Sequence, residues 1–402
     1  MLCQFTVSNY KCFKDSVTLD LQTANITEHQ DSVLQSKDGE TFLPLAVVYG
    51  PNGAGKSSIL DAIYSLARRI MVPIGITLSG KSDEPVIHTE ITPYKFSEES
   101  KKSPTKFEIF FRTENYEYQY IIHFLKDKVI YEELNQLELS GGAYVNLFIR
   151  EKTMFKLNGA FKNILSTSGI SEKLPLLSLL GYSCENNEIV RDVILWFNDK
   201  FNYINYGNPQ RESRVLLNSA YKPLVLKMLS EMDIDVVDYR IKKDITKEVY
   251  TKHIVDGQEY ELKLYQESSG TIKLFTILNY VANAIVNGAT LLIDELDSKL
   301  HPSLLKYIVE LFSNPEINKN KAQLIFTSHD LSNMNSSVFR RDEIWFVAKG
   351  NNQSSMLYSL IEIKNSDGTT ERKDASYSKR YLEGKYGADP YLRKIINWGE
   401  EL

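Results

Sequence analysis

Gly50-Pro51-Asn52-Gly53-Ala54-Gly55-Lys56-Ser57 is the stretch on which the fold turns. It fits the pattern GxxxxGK[ST]. The apolar run Pro44 to Tyr49 precedes it, and Ile59, Leu60, Ile63, Leu66, Ala67 and Ile70 follow at helical spacing. Such a run suits a strand buried on both faces, and the spacing predicts an amphipathic helix. Strand, Gly-rich loop and helix together make a phosphate cradle. The glycines let backbone N–H groups wrap phosphates without Cβ clashes. Lys56 brings a point charge to the β- and γ-phosphates, and the Ser57 hydroxyl can ligate Mg²⁺. The helix adds the positive end of its dipole. Gly50, Asn52, Gly53, Ala54, Gly55, Lys56, Ser57 and Ser58 are therefore the candidate nucleotide-binding residues, with ATP and Mg²⁺ as the expected occupants.

Three further elements fit the same chemistry. Thr290-Leu291-Leu292-Ile293-Asp294-Glu295 is an apolar strand ending in two acids. Alone, such a pair is more often a solvated loop; downstream of a P-loop it reads as a Walker B strand. Asp294 would hold Mg²⁺ together with Ser57, and Glu295 would polarise the attacking water. Gln323-Leu324-Ile325-Phe326-Thr327 leads to Ser328-His329, where a His at a strand end can reach the γ-phosphate. Glu267-Ser268-Ser269-Gly270-Thr271 opens a long apolar helix. Ser and Gly there cap the helix, and the same geometry offers an anion site to a phosphate presented by another subunit. For His301, ahead of Pro302, the expected role is packing or capping.

Composition sets the frame. The chain has 402 residues, 43% hydrophobic and 25% charged, with a net charge of −5. Two or three domains, or one with a large insertion, fit this length. The acidic balance argues against DNA as the main partner, although Lys242, Lys243, Lys247 and Lys252 are close in sequence. Cys3, Cys12 and Cys184 are too few and too far apart for a disulfide framework or a Cys metal site, which suits a reducing cytoplasm. The N-terminus lacks the pattern of a signal peptide. Leu274 to Ile293 carries no formal charge. Its asparagines and Gly288 argue for a buried helix, a turn at Asn287-Gly288 and a buried strand, with no membrane span.

Along the chain, 2–8 and 17–22 alternate as short strands do, and 85–150 reads as an antiparallel meander. Residues 155–235 read as helical, over Leu174 to Leu180, Ile189 to Phe197 and Leu224 to Met232. Strands return at 248–254 and 259–265 around Asp256-Gly257, a hairpin dipeptide. Then come helix 269–286, strand 290–293, helix 303–312, strands 323–327, 343–348 and 355–361, and helix 375–384. Alternating helices and apolar strands predict a mainly parallel sheet covered by helices. The expected organisation is an α/β head in two parts, 1–150 with the P-loop and 246–402 with the remaining motifs, around a helical insertion lobe at 151–245.

The order P-loop, Ser-Gly signature, Walker B strand and His resembles that of ABC-type ATPases. Asn9-Tyr10-Lys11-Cys12-Phe13 looks like the start of RecF and SMC heads. ESSGTIKLF, LLIDELDSKLHP, TSHD, RRDEIWFVAKG and RYLEGKYGADP resemble the small ATPases of bacterial abortive-infection systems: RloA, AbiL-type proteins, AriA of the PARIS system and the ATPase half of OLD proteins. The resemblance is specific over 1–65 and 250–390 and weak in the helical stretch. It implies that Ser268 and Gly270 are the signature residues, with Ser-Ser-Gly-Thr standing where a transporter has Ser-Gly-Gly-Gln. It implies that Asp297 is the D-loop acid and His329 the switch His, and that Lys11 reaches the nucleotide. No glutamine matches the family's Q-loop; the segment Pro93-Tyr94-Lys95-Phe96 stands in that region.

The resemblance also implies a cytoplasmic switch that works as a homodimer or higher homo-oligomer and controls a separately encoded effector of TOPRIM or nuclease type. About 70 residues follow His329, which leaves no room for the TOPRIM domain that OLD proteins carry. The competing reading is a DNA-repair clamp like RecF, which binds duplex DNA. A transporter subunit is disfavoured by the altered signature.

Overall fold

The computed structural model describes residues 1–78, 91–162, 170–183, 187–204, 219–242, 244, 248–364 and 368–388. Strands β1 (Leu2–Ser8) and β2 (Val17–Asp20) pair antiparallel, and a short hairpin of β3 (Leu34–Gln35) and β4 (Thr41–Phe42) follows. Next comes β5 (Leu45–Tyr49), then the P-loop and the helix Lys56–Leu78. The meander consists of β6 (Thr105–Arg112), β7 (Tyr116–Leu125), β8 (Lys128–Glu138), β9 (Val145–Glu151) and β10 (Met154–Leu157). Its strands join β1 and β2 in one antiparallel sheet of order β10-β9-β8-β7-β6-β1-β2. Alternation sets its inner face: Tyr118, Tyr120, Ile122 and Phe124 of β7 are all buried while their neighbours are not.

The second sheet adds β11 (Phe201–Ile204) and, after a separate three-stranded sheet of β12 (Asp238–Ile241), β13 (Val249–Val255) and β14 (Gln258–Lys263), the strands β15 (Thr290–Ile293), β16 (Gln323–Thr327), β17 (Ile344–Lys349) and β18 (Ser355–Ser359). Its order is β11-β15-β16-β5-β17-β18, parallel throughout except for β18. The strands β15, β16 and β5 are buried along their whole length, as strands covered on both faces must be.

Their side chains part by parity. Ala46, Val48, Leu292, Ile325 and Val347 face one core together with the antiparallel sheet and the P-loop helix. All six apolar positions predicted for that helix, from Ile59 to Ile70, lie in this core. Leu45, Val47, Tyr49, Leu291, Ile293, Leu324 and Phe326 face a second core. That core is closed by the helices Lys222–Glu231, Ser269–Asn287, Pro302–Ser313 and Tyr377–Leu382. The parallel sheet is thus the central layer, with the P-loop helix on one face and the signature helix on the other.

The charge-free run resolves as expected. The helix ends at Asn287, Gly288 caps it with φ 60°, and β15 begins at Thr290. Among the described residues no helix is long and apolar enough to cross a membrane. Asp256 and Gly257 take the positive φ values, 51° and 75°, of a tight hairpin turn.

In the stretch 151–245 the described elements pack against both faces of the parallel sheet and its edge. The helices Leu176–Ser183 and Glu188–Asp199 pack into the P-loop core through Leu176, Leu177, Leu180, Val190, Val193, Trp196 and Phe197. The helix Lys222–Glu231 packs into the other core, and β11 extends the parallel sheet beside the acid-tipped strand. The described residues of this stretch are helical insertions that contribute to the head's two cores. The cause is apolar matching: each helix carries a face that only the head's two cores cover. The connection at Cys184-Glu185-Asn186 lies outside the described residues.

Candidate functional site

The P-loop leaves β5 at Gly50, where φ is 152° and an added Cβ would stand 2.4 Å from the Val347 carbonyl oxygen. At Gly55 φ is 114°, and a Cβ there would stand 2.3 Å from Cys12 Sγ. Both positions combine close approach with a backbone geometry that favours glycine. Asn52 and Gly53 are exposed at the tip. Ala54 is buried, and its carbonyl accepts the Ser355 hydroxyl. Ser58 N donates to Gly55 O at 3.0 Å, closing the first helical turn. Lys56 is buried, and its ammonium donates to the carbonyls of Gly50 at 2.8 Å and Pro51 at 3.3 Å. Burial pulls its pKa below the ordinary lysine value, opposed by the carboxylates of Asp294, Glu295 and Asp297.

Parallel pairing brings the acids to this loop. Ser57 Oγ donates to Asp294 Oδ1 at 3.0 Å, across 237 residues of sequence. Thr327, at the end of the intervening strand β16, donates to the same oxygen at 2.7 Å and accepts the Glu295 N–H at 2.7 Å. The Glu295 side chain is exposed, on a residue with φ 50°. The Asp297 carboxylate accepts the His329 N–H at 3.1 Å through one oxygen, and its other oxygen is buried without a hydrogen-bond partner. The His329 side chain lies at the surface. Beneath the turn, Lys273 of the signature helix donates to the carbonyls of Glu295, at 2.9 Å, and Ser298. Its ammonium is pushed down to about 8 by burial, against the pull of Asp297 and Glu295.

Ser268 and Gly270 are not brought to this cluster. Ser268 caps its own helix, accepting the Thr271 N–H at 3.1 Å. An added Cβ at Gly270 would find only ordinary contacts, Lys299 O at 3.6 Å and Ser268 Oγ at 3.8 Å. The residue before the signature, Glu267, is clamped by the Thr251 hydroxyl and by His253 Nε2 at 2.7 Å. His301 caps the helix Pro302–Ser313, as expected, through Nδ1 to Ser303 N.

Lys11 is engaged elsewhere than on the loop: its ammonium pairs with Asp61 of the P-loop helix at 2.6 Å, and the Tyr10 hydroxyl donates to the same carboxylate. In the Q-loop region, Tyr94 is buried, with its N–H on Asn9 Oδ1 and its hydroxyl on Asn352 O. Of the basic cluster, Lys242 pairs with Asp244 and Lys252 with Glu259; Lys243 and Lys247 lie outside the described residues. A cleft of about 910 Å³, lined by Trp196, Lys200, Asn202, Gly288 and Lys321 among others, includes none of the candidate nucleotide-site residues.

Sequence reasoning missed Thr327, Lys273 and Cys12. Thr327 had a usable signal, a hydroxyl ending an apolar strand just before the expected His. Lys273 is the last charge before the charge-free run. Cys12 gave no signal, because its contact with Gly55 joins distant parts of the chain.

A hydroxyl and a carboxylate oxygen converging beside a buried lysine are a donor set for a hard divalent cation and the phosphates it accompanies. The loop's shape depends on glycine at Gly50 and Gly55, where a Cβ would intrude on Val347 and Cys12. Residues 45–152 and 196–335, together more than half of the chain, match the family described as "AAA domain, putative AbiEii toxin, Type IV TA system". The chain belongs to this family. It is a P-loop ATPase domain of a kind linked to toxin and abortive-infection systems. No curated protein matches it. Among solved structures it is similar to the SMC head domain from Thermotoga maritima, at 15% identity and TM-score 0.41, over 89% of this chain and 98% of that one. It is also similar to an Smc head domain with an extended coiled coil, bound to the C-terminal domain of ScpA and derived from Pyrococcus furiosus. There the identity is 12% and the TM-score 0.39, over 89% of this chain and 96% of that one.

Proposed function

We propose that this AAA domain is an ATP-driven switch of a bacterial anti-phage system, which controls a separately encoded effector by pairing two heads around ATP. The observation that carries the reading is the convergence of the Ser57 and Thr327 hydroxyls on one carboxylate oxygen of Asp294 beside Lys56. Ser57 and Asp294 would hold Mg²⁺, which supplies charge neutralisation at the β- and γ-phosphates when bound. Lys56 exchanges its carbonyl contacts for phosphate oxygens. Glu295 orients and polarises the attacking water, and Thr327 fixes the peptide from which Glu295 projects. His329 and Asp297 act at the γ-phosphate edge.

The signature completes the site from a second chain. It lies on the helix covering the opposite face of the parallel sheet from the P-loop helix. Ser268 therefore serves a nucleotide held by a second copy, in a closed two-fold pair. ATP supplies the differential contact a switch needs, by bridging Lys56 of one head and Ser268 of the other. The effector senses paired against unpaired heads.

The test combines mass and turnover. Glu295→Gln should bind Mg-ATP, stall hydrolysis and accumulate as a dimer; Lys56→Ala should lose ATP binding and turnover and should not accumulate as a homodimer. In cells, the chain together with its neighbouring effector gene should protect against phage, and protection should fail with Lys56→Ala. Wild-type turnover by Glu295→Gln would contradict the assignment of the water-polarising acid.

A further inference from the structure

Lys273 is a charged residue at 6% exposure on a helix whose remaining buried positions are almost all apolar. A buried ammonium is costly, and an apolar side chain of similar volume is often as stable or more so. What the charge does here is specific. It donates to two carbonyls, those of Glu295 and Ser298, in the turn that presents the water-polarising acid. That turn is wound through two left-handed residues, Glu295 with φ 50° and Lys299 with φ 61°, a geometry that non-glycine residues hold only when the surroundings enforce it.

Two anchors enforce it. On the amide side, Thr327 takes the Glu295 N–H through its hydroxyl and the Leu296 N–H, at 3.1 Å, through its carbonyl. Thr327 sits in the buried sheet. On the carbonyl side the anchor is Lys273, and it sits on the helix whose first residues are Ser269 and Gly270. One end of this helix is the anion-facing signature, and about one turn further along the same helix grips the Glu295 peptide.

We propose that Lys273 is a positioning residue that couples the signature of a head to the water-polarising acid of the same head. On the reading given above, Ser268 meets a nucleotide held by the second copy, while Glu295 acts on the head's own nucleotide. Lys273 then joins the two composite sites: engagement of the second nucleotide sets the aim of Glu295 on the first, and the sites turn over in concert. The inference rests on that functional reading for its consequence, and on the two hydrogen bonds for its geometry.

The experiment measures ATP turnover by the full chain against ATP concentration, for wild type, Lys273→Met and Lys273→Arg, together with hydrogen exchange over 294–300 without nucleotide. Wild-type turnover should rise with a Hill coefficient above 1. Lys273→Met should leave the half-saturating ATP concentration within about twofold, lower kcat roughly tenfold, bring the Hill coefficient to 1 and speed exchange over 294–300. Lys273→Arg, which keeps the charge and the donors, should recover much of kcat. Should Lys273→Met not fold, Lys273→Gln is read in the same way, with the same direction of change. Wild-type kcat and cooperativity in Lys273→Met or Lys273→Gln would overturn the proposal, as would a wild-type Hill coefficient of 1. The functional reading fails separately, if the wild-type chain binds no Mg-ATP. Exchange then still decides the tie: faster exchange in the variant supports it and unchanged exchange overturns it.

Discussion

The two faces of the parallel sheet carry two unlike halves of one chemistry. On the first, the P-loop, Ser57, Asp294 and Thr327 are joined by direct hydrogen bonds within one chain. On the second, the Ser268 side chain bonds within its own helical turn and an added Cβ at Gly270 would meet ordinary contacts. The first half is pre-organised by the fold: glycines that nothing larger fits, a lysine already among backbone carbonyls, acids set by strand register. The second half is finished locally, by the cap that Ser268 makes on its own helix. On the proposed reading, a signature helix on the opposite face of the sheet from the P-loop helix makes the site depend on a second molecule.

The largest effect should come from breaking the crowded half. Gly50→Ala would place a Cβ 2.4 Å from the backbone oxygen of Val347, which no rotamer relieves. We expect a loss of stability on the order of 3 kcal/mol and no nucleotide binding, by thermal melts and equilibrium binding. Gly55→Ala meets a side chain, Cys12 Sγ, so Cys12→Ala should partly restore its stability; no restoration would mean that backbone conformation alone decides that site.

A smaller effect is expected at the hinge of the acids. Thr327→Val removes the hydroxyl shared by Asp294 and the Glu295 N–H. Leaving that N–H unpaired should cost about 1–3 kcal/mol, and turnover should fall roughly tenfold while ATP binding persists. Unchanged turnover would show that Glu295 is aimed by something else.

These sites also mark what was legible in the sequence. The cradle at 50–57, the apolar strand into Asp294-Glu295 and the strand into His329 could be read because each packs its signal into about ten consecutive residues. The six apolar positions of the P-loop helix could be read because a single core face imposes their spacing. What could not be read depends on distant pairing. β11 is four residues long, too short for periodicity, and joins the sheet only because β15 offers it an edge. The helices of 151–245 carried a helical pattern, but nothing in that pattern named the cores they fill. The ion pair of Lys11 with Asp61 of the P-loop helix joins elements 50 residues apart, and no local pattern announces it.

The smallest effect on the isolated chain should come from the open half, and there the comparison sharpens most. Gly270→Ala finds ordinary contacts within the chain and lies in the first turn of a helix. Alanine should therefore hold or raise stability, by up to about 1 kcal/mol. Turnover should nevertheless fall, because the second chain's nucleotide needs the space. A variant both as stable and as active as wild type would remove the reason to expect a second molecule at that face.

The central claim, that two chains complete one site, is tested most directly by complementation. Lys56→Ala and Ser268→Arg chains are each expected to be inactive. Mixed in equal amounts with free exchange, half of the dimers contain one of each, and each mixed dimer holds one intact composite site. Turnover should then rise above the sum of the two variants, with about a quarter of the wild-type value as the ceiling for independent sites and roughly tenfold less where the coupled site stays empty. Turnover no greater than the sum of the two variants alone, with both chains folded and the mixed dimer present, would contradict a site shared between heads.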